Sequence, residues 1–251
     1  MGILKSQSDI RALTEAGRIT REVLTALCDA CVSGTSTRTL EELANRLLSQ
    51  YRSTAPFKSF DGFNQAICIS INEEIVNGPP SRERILQLGD VVSIATAAEH
   101  RGIYGKAART VCVGNNPSAD ISRLLEGASQ VIDQAIARSA RIATLNELLS
   151  VISETAAQAG LSVIPDLGGS GIGKKLHDWP AVPNNPADLE ETIPLQEGLC
   201  FTLMPMLSLG QPVPATTHED GWTLLTGDGA VSAHVADTLL MTQNGLRNMT
   251  R

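Results

Sequence analysis

Two hydrophobic periods alternate along the chain. From Ser8 to Val32, Ile10, Leu13, Gly17, Val23, Leu24 and Leu27 fall near helical spacing and predict an amphipathic helix that stops before Gly34. A second helix is predicted from Thr37, with Leu40, Leu43, Leu47 and Leu48 on its apolar stripe. A third spans Ala119 to Ala140, and a fourth opens with the capping box Thr144 to Glu147 and closes at Gly160. Strand-like runs separate these pairs. AICISI (Ala66–Ile71), DVVSIATAA (Asp90–Ala98) and ARTVCV (Ala108–Val113) come first, and His100, Arg101 and Gly102 turn the last two into a hairpin. Leu199–Met206, Gly221–Leu225 and Ala233–Met241 follow the second helix pair. Helix pair, strands, helix pair, strands predicts an α+β fold with two related halves around a sheet. The link Gly114–Ala119 is too short to part independent domains, so one domain is expected, with pseudo-halves of about 1–115 and 116–251.

Composition narrows the function classes. The 251 residues are 42% hydrophobic, enough for a sizeable core, and no apolar run approaches the ~20 residues that cross a bilayer. Twenty Lys and Arg against 27 Asp and Glu give a net charge of −7, and aromatics make up 3%, which argues against a basic nucleic-acid face. MGILKSQSDI at the start lacks the apolar core of a secretory signal, and a cytoplasmic location is expected. Cys28, Cys31, Cys68, Cys112 and Cys200 are odd in number and scattered, unlike a disulfide framework. Cys28 and Cys31 form a C-x-x-C without the second pair a structural zinc needs, and read as small residues on a helix face.

Two motifs mislead. GGSGIGKK (Gly168–Lys175) nearly matches a phosphate loop, but Lys175 stands where a hydroxyl should bind magnesium. Trp179, Pro180, Pro183 and Pro186 follow where a helix should start. Asn248-Met249-Thr250 is a glycosylation sequon that has no meaning without a secretory route.

AICISINEEIVNGPP (Ala66–Pro80), LGDVVSIATAAEHRGIYGKAARTVCVG (Leu88–Gly114), GSGIGKKLHDWPAV (Gly169–Val182), LCFTLMPM (Leu199–Met206) and DGWTLLTGDGAVSAHVADT (Asp220–Thr238) keep one order and spacing. Together they resemble the type I methionine aminopeptidases, from about Lys5 to Thr250. The resemblance implies the pita-bread fold, two pseudo-symmetric halves around a curved antiparallel sheet and a central pocket. It also implies two divalent metals held by two Asp, one His and two Glu, with a metal-bound hydroxide attacking the bond after an N-terminal methionine. This sequence departs from that pattern. The matching positions are Ala95 and Lys106 for the aspartates, Ser170 for the histidine, and Met204 and Ala236 for the glutamates. Asn77 stands where the family has a substrate-side histidine. No metal and no other cofactor is therefore expected. Lys106 adds a positive charge, and two like unit charges ~4 Å apart at an effective dielectric near ~20 repel by about 4 kcal/mol.

Losing carboxylates and gaining a lysine would make the pocket neutral or basic, suited to an uncharged, aromatic or anionic small molecule. His177 matches the family histidine that contacts the scissile amide and is the foremost general acid/base candidate. Lys106 is a base or amine nucleophile if desolvated, or else a structural charge plugging the would-be metal cavity, with Glu99 or Asp237 as candidate partners. Glu99 shares strand parity with Ala95, and Tyr104 with Lys106, so both join the catalytic candidates; the alternatives are a surface position beside the hairpin turn for Glu99 and a packed ring for Tyr104. The expected substrate-binding set is Asn77, Cys68, Ala95, Ser170, Met204, Trp222, His234 and Ala236. Alternation places His234 on the face of Ala236 and Asp237 on the other.

The expected function is a metal-independent enzyme repurposed for acid/base chemistry on a small molecule. A cyclisation, condensation or C–N bond reaction of the lyase or cyclase type in specialised metabolism fits this; creatinase relatives of the fold work without metal. The alternative is a non-catalytic binder of a peptide, protein or small molecule. No nucleic-acid or membrane partner is expected, and the oligomeric state is not legible.

Overall fold

In a computed structural model, residues 2–4, 6–114 and 116–251 are described. Asn115, within the predicted link, and Lys5, at the start of the resemblance, lie outside them. The first half of the chain runs α1 (Gln7–Asp29), α2 (Thr37–Gln50), β1 (Ile67–Ile71), β2 (Glu74–Val76), β3 (Val91–His100) and β4 (Ile103–Cys112). The second opens with α3 (Ala119–Arg138), α4 (Leu145–Gln158), β5 (Ser162–Val163), β6 (Gly168–Gly171) and β7 (Asp178–Pro183). It continues through β8 (Cys200–Leu203), β9 (Met206–Ser208), β10 (Thr216–Thr217), β11 (Leu224–Leu225), β12 (Ser232–His234), β13 (Asp237–Thr242) and β14 (Gly245–Asn248).

Local chemistry sets the helix starts. Ser6, Ser36 and Ser118 accept from Asp9 N, Thr39 N and Ile121 N, and the Thr144–Glu147 capping box forms as expected. One apolar layer joins α1 and α2 to β1, β3 and β4, with Ile19, Val23, Leu27, Leu40, Ile69 and Ile94 buried together. Another joins α3 and α4 to β8 and β13 through Val131, Leu148, Phe201 and Leu239. A third, holding Phe57, Phe63, Ala95, Met204 and Met206, surrounds the candidate site. Gly17 lets α1 approach the C-terminal segment, because a Cβ there would lie 1.9 Å from Met249 O. No helix of the described residues is long and apolar enough to cross a membrane.

The sheets are antiparallel, in the orders β1-β3-β4 and β14-β13-β8-β6-β7, with smaller ones β12-β9-β5 and β10-β11-β2. The β3–β4 hairpin closes at once. Arg101 and Gly102 take φ of +52° and +78°, both turn residues having the positive φ that favours tight hairpins, so β4 begins at Ile103 rather than Ala108.

Two predicted strands are each broken in the middle. Leu199–Met206 splits into β8 and β9 at Met204-Pro205, since proline has no N–H for a ladder. Ala233–Met241 splits into β12 and β13 at Val235-Ala236, where Val235 N donates to Pro205 O and Ala236 exchanges backbone bonds with Ala108. At these facing kinks the chain passes from one sheet to another. Of Gly221–Leu225 only Leu224–Leu225 is strand, because Asp220 turns the preceding residues by accepting from Trp222 N and Thr223 N.

Candidate active site

Cys68 on β1, Ala95 on β3 and Lys106 on β4 form one wall of a cavity of about 400 Å³. Cys68 pairs with Ala95, and Ala97 with Lys106, so these residues share a sheet face. Lys106 is fixed through its backbone. Its N–H donates to Thr238 Oγ1 at 2.9 Å, and the Thr238 hydroxyl donates to Lys106 O at 2.8 Å, tying β4 to β13. The opposite wall comes from Gly168, Gly169 and Ser170 on β6 and from His177 just before β7. The glycine-rich run is thus a strand, not a phosphate loop. A Cβ on Gly169 would sit 1.9 Å from Thr202 O, so glycine there lets β6 lie close to β8.

The two walls meet in one polar contact. Lys106 Nζ lies 3.3 Å from His177 Nε2. The lysine also faces the Phe57 ring at 5.7 Å, and Phe60 packs edge-on against the His177 ring at 4.3 Å. Burial lowers the Lys106 amine to about 8. Burial, then the charge of Lys106, lowers His177 to about 4 and His234 to about 3, so both imidazoles are neutral near pH 7. Burial pushes the Cys68 thiol up to about 12 against the pull of Lys106. None of the lining residues is acidic.

The cavity brings together most of the residues singled out from sequence. Lys106, His177, Asn77, Cys68, Ala95, Ser170, Met204, Trp222 and His234 all line it. Three others are not among the lining residues. Glu99 has the right parity but lies four residues beyond Ala95, ~13 Å along the strand. There it caps the hairpin, accepting from Gly102 N at 2.6 Å and from Thr54 Oγ1. Tyr104, also toward the turn, donates its N–H to Gly173 O. Ala236 is fully buried in the kink against Ala108. Their expected roles at the site are corrected accordingly. Among the described residues neither Glu99 nor Asp237, the candidate ion-pair partners of Lys106, pairs with it. Asp237 instead binds Arg109 at 2.6 Å and Arg251 at 2.8 Å. Phe57, Phe60 and Phe63 also line the cavity, and the sequence signal for them is that three of the chain's four phenylalanines fall within seven residues.

Residues 11–243 match the model of metallopeptidase family M24. The chain belongs to that family. The M24 relatives include a methionine aminopeptidase of Clostridium acetobutylicum, 32% identical over 100% of this chain and 99% of its own length. Another, from Aquifex aeolicus, is 34% identical over 96% of both chains. The crystal structure of methionine aminopeptidase from Thermotoga maritima superposes with a TM-score of 0.93 at 32% identity, covering 99% of each chain. A prolidase from Pyrococcus furiosus shares the fold, with a TM-score of 0.73 at 20% identity over 65% of its length. The architecture is the pita-bread fold.

These findings overturn the function expected from sequence. The M24 relatives are methionine aminopeptidases across 96% to 100% of this chain. None of them supports a role repurposed to small molecules or a non-catalytic one. The family name implies a metal, and the cavity does not fit one. Among the described residues no group of three or more His, Cys, Asp or Glu side chains is placed to hold an ion. The lining donors Cys68, His177 and His234 stand around an amine, and no carboxylate joins them.

Proposed function

We propose that this chain acts on the terminal residue of a peptide, hydrolysing the amide bond that follows it without a metal ion. The observation that carries this reading is the Lys106 Nζ–His177 Nε2 contact, 3.3 Å, at the wall of a largely apolar cavity. The kinship with methionine aminopeptidases supports a peptide as substrate. Phe63 and Trp222, packed edge to face at 5.1 Å, with Cys68, Met204 and Met206, offer an apolar side chain a place. Asn77, Ser170 and His234 offer polar contacts, and the methyl of Ala95 leaves room between them.

Lys106 changes charge near the working pH, as a proton carrier must. Its amine form takes a proton from water as the water adds to the carbonyl. Its ammonium form returns that proton to the departing nitrogen, so one water is consumed and one amide is broken. His177, neutral, accepts from the ammonium and holds it in place. The cytoplasm is the compartment we assign, since its reducing conditions suit five free cysteines.

The test incubates the protein with methionyl peptides, free and N-acylated, with and without EDTA, and follows products by mass spectrometry. Release of the terminal residue is expected to be insensitive to EDTA and to fall at least ~100-fold in Lys106→Met. No cleavage of any peptide, or cleavage only with added divalent cation, overturns the reading.

A further inference from the structure

The polar groups of the cavity are unevenly matched. Lys106 Nζ carries up to three donors, and its one hydrogen-bonding partner among the described residues is His177 Nε2. His234 is 1% exposed, lines the same cavity, and its Nε2 has no partner among the described residues. Its backbone N–H is held by Ser93 Oγ and Thr110 Oγ1. A buried polar atom without a partner carries a desolvation cost that a ligand atom relieves. No acidic side chain lines the cavity to receive a cation.

A free peptide terminus suits this arrangement poorly. Its ammonium brings three donors, no acceptor and a like charge. An acyl group on the same nitrogen removes the charge and supplies an oxygen that accepts. We propose that the cavity takes peptides whose terminal nitrogen is acylated, the acyl oxygen accepting from Lys106 Nζ beside the unpaired His234 nitrogen, and that it rejects a free terminal ammonium. This rests on the peptide-directed reading above and names its substrate class. The size of the discrimination follows from proton release. At pH 6 the peptide amine, ordinarily near ~8, and Lys106, near about 8, are both charged, and seating them together requires one to lose its proton, a cost of roughly two decades in affinity.

The experiment measures binding at pH 6 by titration calorimetry to the native protein and to Lys106→Met. Three peptides share one Ala-Ser tail: free methionyl, N-formylmethionyl, and a desamino analogue with neither charge nor acyl group. For the native protein the formyl peptide is expected to bind ~100-fold tighter than the free one, with the desamino peptide between them. Lys106→Met is expected to shrink the formyl-to-free ratio below ~10-fold. Equal or tighter binding of the free peptide overturns the inference and leaves the peptide reading standing. A desamino peptide as tight as the formyl one overturns the acyl-oxygen contact. If none of the three binds, the peptide reading falls and takes the inference with it.

Discussion

Lys106 is a residue whose presence costs the fold something. Its ammonium is buried beside a neutral imidazole and a phenyl ring, with no carboxylate among the described residues that line the cavity to balance it. A neutral side chain of similar length should therefore fit better. We expect Lys106→Met to raise the stability at pH 7 by about 2 kcal/mol, read by urea denaturation, while abolishing activity. A drop in stability would mean that the amine is held by more than the contacts described. The residue scale is also where sequence reasoning was strongest and weakest. Lys106 and His177 were legible because motif positions carry them onto facing walls of one cavity. Glu99 and Tyr104 were misplaced because strand parity reports a face and says nothing of distance along it.

At the scale of elements, β13 is locked to its neighbours by Asp237. This fully buried carboxylate binds Arg109 on β4, Arg251 at the C-terminus and the Thr250 hydroxyl at 2.8 Å. The same Thr250 completes the apparent glycosylation sequon. Being 1% exposed, it serves as a structural hydroxyl. Asp237→Asn leaves two guanidinium groups short of their partner and should cost about 3 kcal/mol, measurable as a lower denaturation midpoint. Helices were legible at this scale because caps and periodicity are local. The strand break at Met204-Pro205 carries a local signal in its proline, whereas that at Val235-Ala236 was not legible, because apolar residues continue through the kink. What turns the chain there is pairing with partners far away in sequence, such as Ala108.

Over the whole molecule, the buried imidazole of His234 and the half-buried one of His177 tie stability to acidity. Both stay neutral in the fold, with values of about 4 for His177 and 3 for His234, while an unfolded histidine takes a proton near 6.5. The unfolded chain thus binds more protons as pH falls below 6.5, and their contribution to stability, complete above that point, drains away toward the folded values. Thermal denaturation should show Tm falling between pH 6.5 and 5, above the ordinary carboxylate range, and His234→Phe should flatten that decline. An unchanged slope in the variant would assign the acid sensitivity to other groups.

The hydroxyl of Thr238 carries a consequence for how the molecule opens. Because it grips both backbone groups of Lys106 from another sheet, the peptide unit bearing the reactive amine cannot swing loose by local fraying. In heavy water its amide deuterium uptake should be among the slowest in the chain, approaching the rate set by complete unravelling. The chemistry would then rest on the least yielding stitch of the molecule, with adaptation to a ligand left to the loop that carries Phe60.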